Sequence, residues 1–390
     1  MIVMAEVRPR LLLSLASRQA WPHILAVAHL KPERLMLLHS SDAEESRKPA
    51  ERLKKFLESR SFLLEKGHTN LEEVPHDRFE VIGSRLDELV GEDGDDIVMN
   101  FTGGNKLMAT AAFRWADERG IRSFYLERGN RITWFERGGN GLATRTESLD
   151  GHMTKHLDPV ALLRCQLWSS EVEREGEKLT LKSGVQNLAK EDFLNKANNQ
   201  PMALIDSEGI ADRKEKAGDR LELATAAVLL HLGVTNVRRS LRLKVHSSTG
   251  AGPLPHAEID LLFNWNGKLW LVDCKDRKPE VELVHGLRRE LPQRLAPEAE
   301  ELLCRLEEEL QISPVKVLKE DLVAINDMAG LLGQVICVRK SPLPNEAYAY
   351  AQRNRIDVVL KNDLYDGLHR LLHGDRPASA DQLAKLVGQR

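Results

Sequence analysis

Two acidic residues and a lysine are predicted to meet on one β-hairpin in the second half of the chain. The dipeptide Asn266-Gly267, in FNWNGKLWL, is the strongest signal for a two-residue hairpin turn. The register that follows from this turn sets Asp260 opposite Asp273. It also sets Glu258 opposite Lys275, and the alternation of side chains puts this lysine on the face of the two aspartates. The other face is predicted to be core: Ile259, Leu261, Phe263, Trp270, Val272 and Cys274.

Two opposed carboxylates repel each other and need a compensating charge. A hard divalent cation such as Mg²⁺ or Mn²⁺ takes carboxylate oxygens, and a lysine two positions along the strand can act on a water at that metal. This combination is typical of phosphodiester hydrolysis. The alternative is a solvated charged face, on which Lys275 only pairs with Glu258 or Asp273.

A third carboxylate can come from either of two glutamates. Glu222 is predicted in the first turn of a helix that precedes the hairpin, where it either reaches the site or only complements the helix dipole. Glu258 is the alternative, because it lies two residues before Asp260 on the same face. Basic residues that can hold a phosphate backbone cluster around these segments: Arg238, Arg239, Arg242, Lys244, Arg277, Lys278, Arg288 and Arg289.

A second group of residues predicts an anion site in the first half of the chain. The apolar run IVMNF leads into Thr102-Gly103-Gly104-Asn105-Lys106, which opens a predicted helix. Backbone N–H groups and the positive end of a helix attract anions, and glycines let a ligand approach the backbone closely. Small hydroxyls follow the first predicted strand, in LSLASRQ, at the edge where parallel sheets bind ligands. A tight, Asn-capped turn without a ligand is the alternative.

These residues need a framework, and the first 150 residues predict a mostly parallel α/β sheet, because apolar runs alternate with helical patterns. Strands are predicted at 10–15, 34–39, 78–82, 96–101 and 123–127, and helices at 21–29, 43–60, 85–90 and 105–119. Gly129-Asn130 predicts a hairpin to a strand over 132–135. The Gly-rich and polar stretch 138–158 predicts an exit loop and linker.

The second half predicts a mixed α/β domain. Helices are predicted at 159–168 and 220–232, and strands at 239–246, 258–265, 268–275, 334–339 and 355–360. Most of the segment 158–218 has no clear pattern.

Composition excludes several classes of protein. The chain has 390 residues, enough for two or three domains, and its four distant cysteines form no CxxC pair. A net charge of −3 gives no global attraction to nucleic acid, so any such site must be local. No apolar run is long enough to cross a membrane, and no convincing signal peptide is present. These features predict a cytoplasmic protein.

The second half resembles the PD-(D/E)xK nuclease superfamily. That family has a helix Glu, then an Asp, then (Asp/Glu)-x-Lys on the next strand, and Glu222, Asp260 and Asp273-Cys274-Lys275 match this order over roughly residues 218–358. The resemblance implies catalytic roles for all four residues and a metal held by Asp260, Asp273 and Glu222. Arg277 and Lys278 are candidate contacts to the nucleic acid.

The first half resembles the CARF domain of CRISPR-associated proteins over about residues 8–150. The resemblance implies that a cyclic oligoadenylate, the cyclic tetra-adenylate in particular, binds across the two-fold axis of a homodimer. The residues implied at this ligand are Ser14, Ser17, Gln19, Thr102, Gly103, Gly104, Asn105 and Lys106. Ser40 and Ser41 are weaker candidates, with helix capping as an equal alternative.

Together the two halves resemble CRISPR ancillary nucleases of type III systems. The expected domains are a Rossmann-like CARF domain at 1–150, a connector and nuclease entry at 151–217, and a restriction-endonuclease-like domain with a mixed sheet at 218–390. The expected function is endonucleolytic cleavage of DNA or RNA, switched on by the cyclic oligoadenylate. Two alternatives stay open: a ligand-sensing regulator whose nuclease-like domain only grips nucleic acid, and a sensor domain that also degrades its activator.

Overall fold

The computed structural model describes residues 8–61, 63–91, 96–127, 130–139, 141–149, 151–167, 170–207, 219–245, 257–275, 299–302, 305, 333–343 and 345–374. These residues form two α/β units, each built on one sheet. No helix among them is long and apolar enough to cross a membrane.

The first sheet has seven strands in the order β3-β2-β1-β4-β5-β6-β7. Its strands are β1 (Leu11–Leu15), β2 (Arg34–His39), β3 (Thr69–Glu73), β4 (Ile97–Asn100), β5 (Arg122–Glu127), β6 (Arg131–Gly138) and β7 (Gly141–Ser148). Strands β1 to β5 are parallel, and β6 and β7 are antiparallel additions. The apolar central strands are buried on both faces, as parallel sheets require.

Four helices cover this sheet: α1 (Trp21–Leu30), α2 (Lys48–Glu58), α3 (Phe79–Val90) and α4 (Lys106–Glu118). A π-helical turn, Ala43–Arg47, leads directly into α2. Helices α1 and α2 pack in one apolar core, and α3 and α4 pack in another. The predicted mostly parallel α/β fold is therefore confirmed.

Three predictions about secondary structure in this half are wrong. Residues 78–82 form no strand, because they begin α3, in which Ile82 and Leu86 share the buried face one turn apart. Strand β3 was not predicted, since its sequence, TNLEE, has no clear apolar alternation. The predicted linker contains β7, an edge strand whose side chains are almost all exposed. Hydrogen bonds to β6 hold β7 without an apolar face.

The second sheet has eight strands, seven of them in the order β10-β9-β11-β12-β13-β14-β15, with β8 also paired to β11. They are β8 (Ser170–Arg174), β9 (Glu177–Leu181), β10 (Ile205–Ser207), β11 (Val237–Val245), β12 (Ala257–Trp265), β13 (Lys268–Lys275), β14 (Gln334–Arg339) and β15 (Ile356–Leu360). Strands β13, β14 and β15 are parallel, and the other pairs are antiparallel. The sheet is mixed, as predicted.

Both faces of the second sheet are covered, which corrects the prediction of one apolar face. The helices of this half are α5 (Pro159–Gln166), α6 (Lys190–Asn199), α7 (Asp219–His231), α8 (Asn345–Arg353) and α9 (Leu364–His373). Helices α6, α7 and α9 share a core with Leu261 and Val272. Helices α5 and α8 share a different core with Leu262 and Leu271.

The core that contains α5 continues into the first half, where it includes residues of α1 and α2. The turn between β12 and β13 closes this junction. Asn130 Nδ2 donates a hydrogen bond to the carbonyl of Asn266, and Asn264 Nδ2 donates one to the carbonyl of Thr154 at 2.6 Å. The two halves are therefore joined by buried packing and by backbone-directed hydrogen bonds.

The contact between Gly151 and the hairpin turn gives a test of this junction. A Cβ atom on Gly151 would lie 2.2 Å from the carbonyl carbon of Asn266, so backbone must move. We expect Gly151→Ala to lower the free energy of unfolding by about 1–3 kcal/mol, the usual cost of overpacking. Gly139→Ala is the control, because nothing lies within 4 Å of its added Cβ, and urea unfolding should change by less than about 0.5 kcal/mol. Equal effects of the two substitutions would contradict the close junction.

Two candidate functional sites

The loop after β4 lies against the end of β1 because it contains two glycines. A Cβ atom on Gly103 would lie 1.8 Å from the carbonyl oxygen of Leu15, and Gly104 has a φ of +72° that favours glycine. Asn105 then caps α4 by accepting a hydrogen bond from Met108 N at 2.8 Å. The predicted strand, glycine loop and capped helix are therefore present.

An open cleft of about 330 Å³ lies on this loop. Its lining combines the predicted loop with aromatic side chains that the sequence analysis did not single out: Phe101, Thr102, Gly103, Gly104, Asn105, Lys106, Ala109, Thr110, Phe113 and Tyr125. The spacing of Lys106, Ala109, Thr110 and Phe113 puts them on one face of α4, and this pattern could have identified the wall of the cleft. The cleft offers flat apolar surface beside one exposed ammonium group.

Ser14 lies beneath the loop, which corrects its prediction as a ligand contact. Its side chain is fully buried, and its hydroxyl lies 2.7 Å from His23 Nδ1 and 2.9 Å from Asn100 Nδ2. Burial lowers the pKa of His23 to about 4, so the imidazole is neutral near pH 7. The amide of Asn100 donates to the Ser14 hydroxyl, which also shares a hydrogen bond with His23 Nδ1.

The same network reaches the glycine loop. Asn100 Oδ1 accepts hydrogen bonds from Thr102 N at 3.0 Å and from Thr102 Oγ1 at 2.6 Å. Thr102 Oγ1 in turn accepts one from Leu126 N at 2.8 Å. Ser14 and Asn100 are therefore supports for the loop, and its shape is set from below.

The loop after β1 is tied to α5. Ser17 Oγ accepts a weak bond from Gln19 N at 3.3 Å, and both side chains are partly exposed, as a ligand contact requires. Gln166 of α5 accepts from Ala20 N at 3.0 Å and donates to the carbonyl of Arg18 at 3.1 Å. The ends of β1 and β4 thus present both predicted loops at one edge of the sheet.

Ser40 lies in the turn before the π-helical segment, whose cap is Asp42 and not Ser40. Its side chain is only 6% exposed, its N–H donates to Ser46 Oγ at 2.9 Å, and its hydroxyl accepts from Asp42 N at 3.4 Å. These bonds form the turn that leads into the π-helical segment. Its role as a ligand contact is therefore corrected to a structural one.

The predicted hairpin register is present between β12 and β13. Pairing runs from Trp265 opposite Lys268 to Leu261 opposite Val272 and is not continued at Asp260. There the Asp260 carboxylate itself accepts a hydrogen bond from Cys274 N at 2.6 Å.

On the other side of β12, the pairing with β11 skips Asp260 and Ser240, which has a φ of +54°. This irregularity reverses the alternation, so Ile259 packs in a different core from Leu261. The predicted common face of these two residues is therefore wrong. The predicted pairing of Glu258 with Lys275 is also absent from the ladder between β12 and β13, which ends at Leu261 opposite Val272. On its other side Glu258 pairs with Arg242 of β11.

The four residues predicted at the second site are electrostatic neighbours. Burial, together with the nearby charges of Asp273 and Glu222, raises the pKa of Asp260 to about 7, although the bond from Cys274 N and the charge of Lys275 lower it. Asp273 is itself buried, and its Oδ1 lies 2.8 Å from Lys275 Nζ. We call this group, Glu222, Asp260, Asp273 and Lys275, the carboxylate centre.

Glu222 is the better placed of the two candidate glutamates. It contributes to the pKa shift of Asp260, and burial raises its own pKa. Glu258 is more exposed and lies 3.9 Å from Arg174.

Arg239 also corrects a prediction, because it is a buried residue and not part of an exposed basic surface. It lies 3.0 Å from both Glu222 and Asp219, and 3.6 Å from Glu177.

A divalent cation fits part of the carboxylate centre. Asp273 Oδ2 is buried and has no hydrogen-bond partner among the described residues, which suits it to a cation. Asp260 adds a second carboxylate, whereas Glu222 is held by Arg239. Within the described ranges no set of three His, Cys, Asp or Glu side chains is arranged to hold a metal, so the predicted three-carboxylate set is not preassembled. Arg277 and Lys278 lie outside the described residues.

Comparison with known protein families finds a match for part of the first half. Residues 11–137 match the family model described as the Card1 CARF domain. No curated protein matches.

Three solved structures are similar to nearly the whole chain. Can2 from Sulfobacillus thermosulfidooxidans, in complex with cyclic tetra-adenylate, has a TM-score of 0.58 at 16% identity and covers 94% of this chain and 98% of its own. Protein VC1899 from Vibrio cholerae has a TM-score of 0.58 at 10% identity, covering 93% and 98%. A type III CRISPR defence DNA nuclease activated by cyclic oligoadenylate has a TM-score of 0.50 at 18% identity, covering 92% of this chain and 51% of its own. These identities show a shared fold.

The raised pKa of Asp260 predicts a pH dependence of stability in the absence of metal. From about pH 4 to 7 the folded chain keeps a proton that the unfolded chain has lost, because the ordinary pKa is 3.8 and the folded value is about 7. Stability therefore falls as pH rises through this window. Above about pH 7 the loss of folding free energy levels off at about 4 kcal/mol, because each unit of pKa difference contributes about 1.4 kcal/mol.

Asp260→Asn is the matching variant, since an amide oxygen keeps the bond from Cys274 N and cannot ionise. Urea unfolding in EDTA should show this variant gaining stability over the wild type at about pH 8, and much less at about pH 4.5. The same difference at both pH values would contradict a buried, protonated Asp260.

Proposed function

Since residues 11–137 form a CARF domain, we propose that this chain is a metal-dependent nuclease activated by a cyclic oligoadenylate, most simply the cyclic tetra-adenylate. The observation that carries the proposal is the carboxylate centre, where burial and like charge raise the pKa of Asp260 to about 7. Buried acids held close together at a cost in stability are typical of functional sites. Two of the similar structures support the ligand and the context of CRISPR defence: the Can2 complex with cyclic tetra-adenylate and the type III nuclease.

The activator is assigned to the cleft on the glycine loop. Lys106 is the first residue of α4 and is exposed, so it can pair with a phosphate at the positive end of the helix. Phe101, Phe113 and Tyr125 offer faces on which adenine rings can stack. A cleft of about 330 Å³ is at the small end of ligand pockets, so four linked nucleotides need a second half-site. This supports a homodimer that shares the ligand across its two-fold axis.

In the reaction, Asp260 and Asp273 would hold Mg²⁺ or Mn²⁺, which when bound polarises the phosphate and lowers the pKa of a coordinated water. Among the described residues, Lys275 is the lysine that pairs with Asp273, and its side chain is about one-third exposed. It can hold the attacking water and neutralise charge on the phosphate. With a pKa of about 7, Asp260 is protonated in about half of the molecules near pH 7 in the absence of metal, and binding of the cation would release this proton.

A second candidate function rests on Arg239. This guanidinium already neutralises Glu222, and three acidic groups surround it. A centre locked in this way fits a ligand-sensing regulator that grips nucleic acid without cutting it. The experiment that separates the two functions incubates the protein with plasmid and with RNA, with and without each cyclic oligoadenylate and Mn²⁺.

Lys106→Ala tests the assignment of the activator site. A hydrogen bond to a charged group contributes about 1.5–3 kcal/mol, so affinity for cyclic tetra-adenylate should fall by roughly ten- to a hundredfold. Excess activator should restore cleavage. Lys66→Ala, an exposed lysine of the same half that does not line the cleft, should leave the affinity unchanged. If calorimetry shows that Lys106→Ala binds cyclic tetra-adenylate as tightly as the wild type does, the glycine loop is only a structural turn.

Asp273→Asn and Lys275→Ala test the chemistry. Each should lower the single-turnover cleavage rate by roughly a thousandfold, within the range for loss of a group that acts on the reacting atoms. Activator affinity should stay near the wild-type value, because the sensor cleft is in the other half. Cleavage at the wild-type rate by either variant would remove that residue from the mechanism.

A further inference from the structure

Arg339 is a second cation beside the carboxylate centre, and it is not among the site residues predicted from the sequence. It is the last residue of β14, which runs parallel to β13 with Lys275 as its register partner. Register partners in a parallel pair project to the same face of the sheet. Both cations lie near Asp273, whose Oδ1 is 2.8 Å from Lys275 Nζ and whose Oδ2 is 3.8 Å from Arg339 Nη2. The side chain of Arg339 is only 17% exposed, although burial of a charged side chain costs free energy.

The contacts of Arg339 orient the guanidinium but leave some of its N–H donors without an acceptor among the described residues. Its Nη2 lies 3.8 Å from Asp273 Oδ2, longer than a charge-assisted hydrogen bond of about 2.7–2.9 Å. Its Nε donates to Cys337 Sγ at 3.0 Å, and a thiol is a weak, uncharged acceptor. Among the described residues, Asp273 is the acidic group that pairs with Arg339, and Lys275 holds its other oxygen at 2.8 Å. The guanidinium therefore has donors left for an additional anion.

The shape of this pair of cations matches one ligand group. A guanidinium binds phosphate through two parallel N–H groups, whereas an ammonium acts as a point charge. With Asp273 between them, the two cations frame a position next to the carboxylates. A phosphate there would meet both cations and the carboxylate centre.

We propose that Arg339 is a catalytic residue that binds a non-bridging oxygen of the scissile phosphate beside Lys275. This inference rests on the proposed nuclease function and deepens it. Arg339 gives the substrate phosphate its orientation and stabilises the charge that develops on it during attack. The competing role is purely structural, in which Arg339 only balances the buried charge of Asp273.

The test compares Arg339→Gln and Arg339→Lys with the wild type in two measurements. The first is the affinity for labelled DNA and RNA in Ca²⁺ with activator, followed by anisotropy over a range of salt. The second is single-turnover cleavage in Mn²⁺. Arg370→Gln is the control, because it removes an exposed arginine of α9 that pairs with Asp363.

We expect Arg339→Gln to weaken binding by roughly tenfold or more, to lower the salt slope by about one, and to slow cleavage by roughly a hundred- to a thousandfold. Arg339→Lys should keep the melting temperature and recover only part of the rate, since it lacks the planar fork. Arg370→Gln should match the wild type in both measurements.

Two results would overturn the role of Arg339. One is wild-type binding and cleavage by Arg339→Gln; the other is full recovery of rate by Arg339→Lys, which would indicate charge balance alone. If the wild type cleaves neither nucleic acid under any condition, the proposed function fails. The binding measurement then still decides Arg339: unchanged affinity removes the phosphate contact, and weakened affinity keeps that contact in a protein that only binds.

Discussion

The hairpin turn between β12 and β13 is the constraint on which the junction of the two halves depends. Asn266 and Gly267 have φ values of 48° and 70°, the left-handed conformations that a tight hairpin turn needs. The turn then enters a niche so close that a Cβ on Gly267 would lie 2.8 Å from Leu25 of α1. Asn130 donates to its backbone from the first sheet. A small turn with two left-handed residues is thus one of the contacts between the first half and the strands of the carboxylate centre.

The opposite end of the same hairpin carries the acidic residues. Pairing is regular near the turn and breaks at Asp260, whose carboxylate replaces a ladder partner by binding Cys274 N. The break removes Asp260 from strict opposition to Asp273 while keeping the two charges within reach of each other. The cost appears as a pKa of about 7 for Asp260, and Lys275 and Arg339 offset the charge of Asp273. Regular pairing at one end therefore supports an unfavourable arrangement at the other.

Local sequence was sufficient where a turn determines the neighbours. The hairpin register followed from Asn266-Gly267, and the glycine loop followed from its position between a strand and a helix. Strands β3 and β7 could not be predicted, because polar edge strands depend on their neighbours and not on an apolar pattern. The burial of Ser14 depends on His23 of α1, and the pairing of Arg239 depends on α7, so both need tertiary structure. Arg339 was missed because a parallel strand has no turn from which its register can be counted.

The apolar core shared by α1, α2, α5 and the second sheet sets a limit on how the two halves can have been combined. Two domains that are joined only by a flexible linker can be exchanged independently, because neither domain packs against the surface of the other. Here a foreign first half would have to supply the niche for the turn, the partner of Asn266 and the apolar surface that packs near α5. Recombination between such proteins would therefore preserve function only when both halves are inherited together. A chimera that joins the first half of one protein to the second half of another would lose the shared core, just as a break within either sheet would.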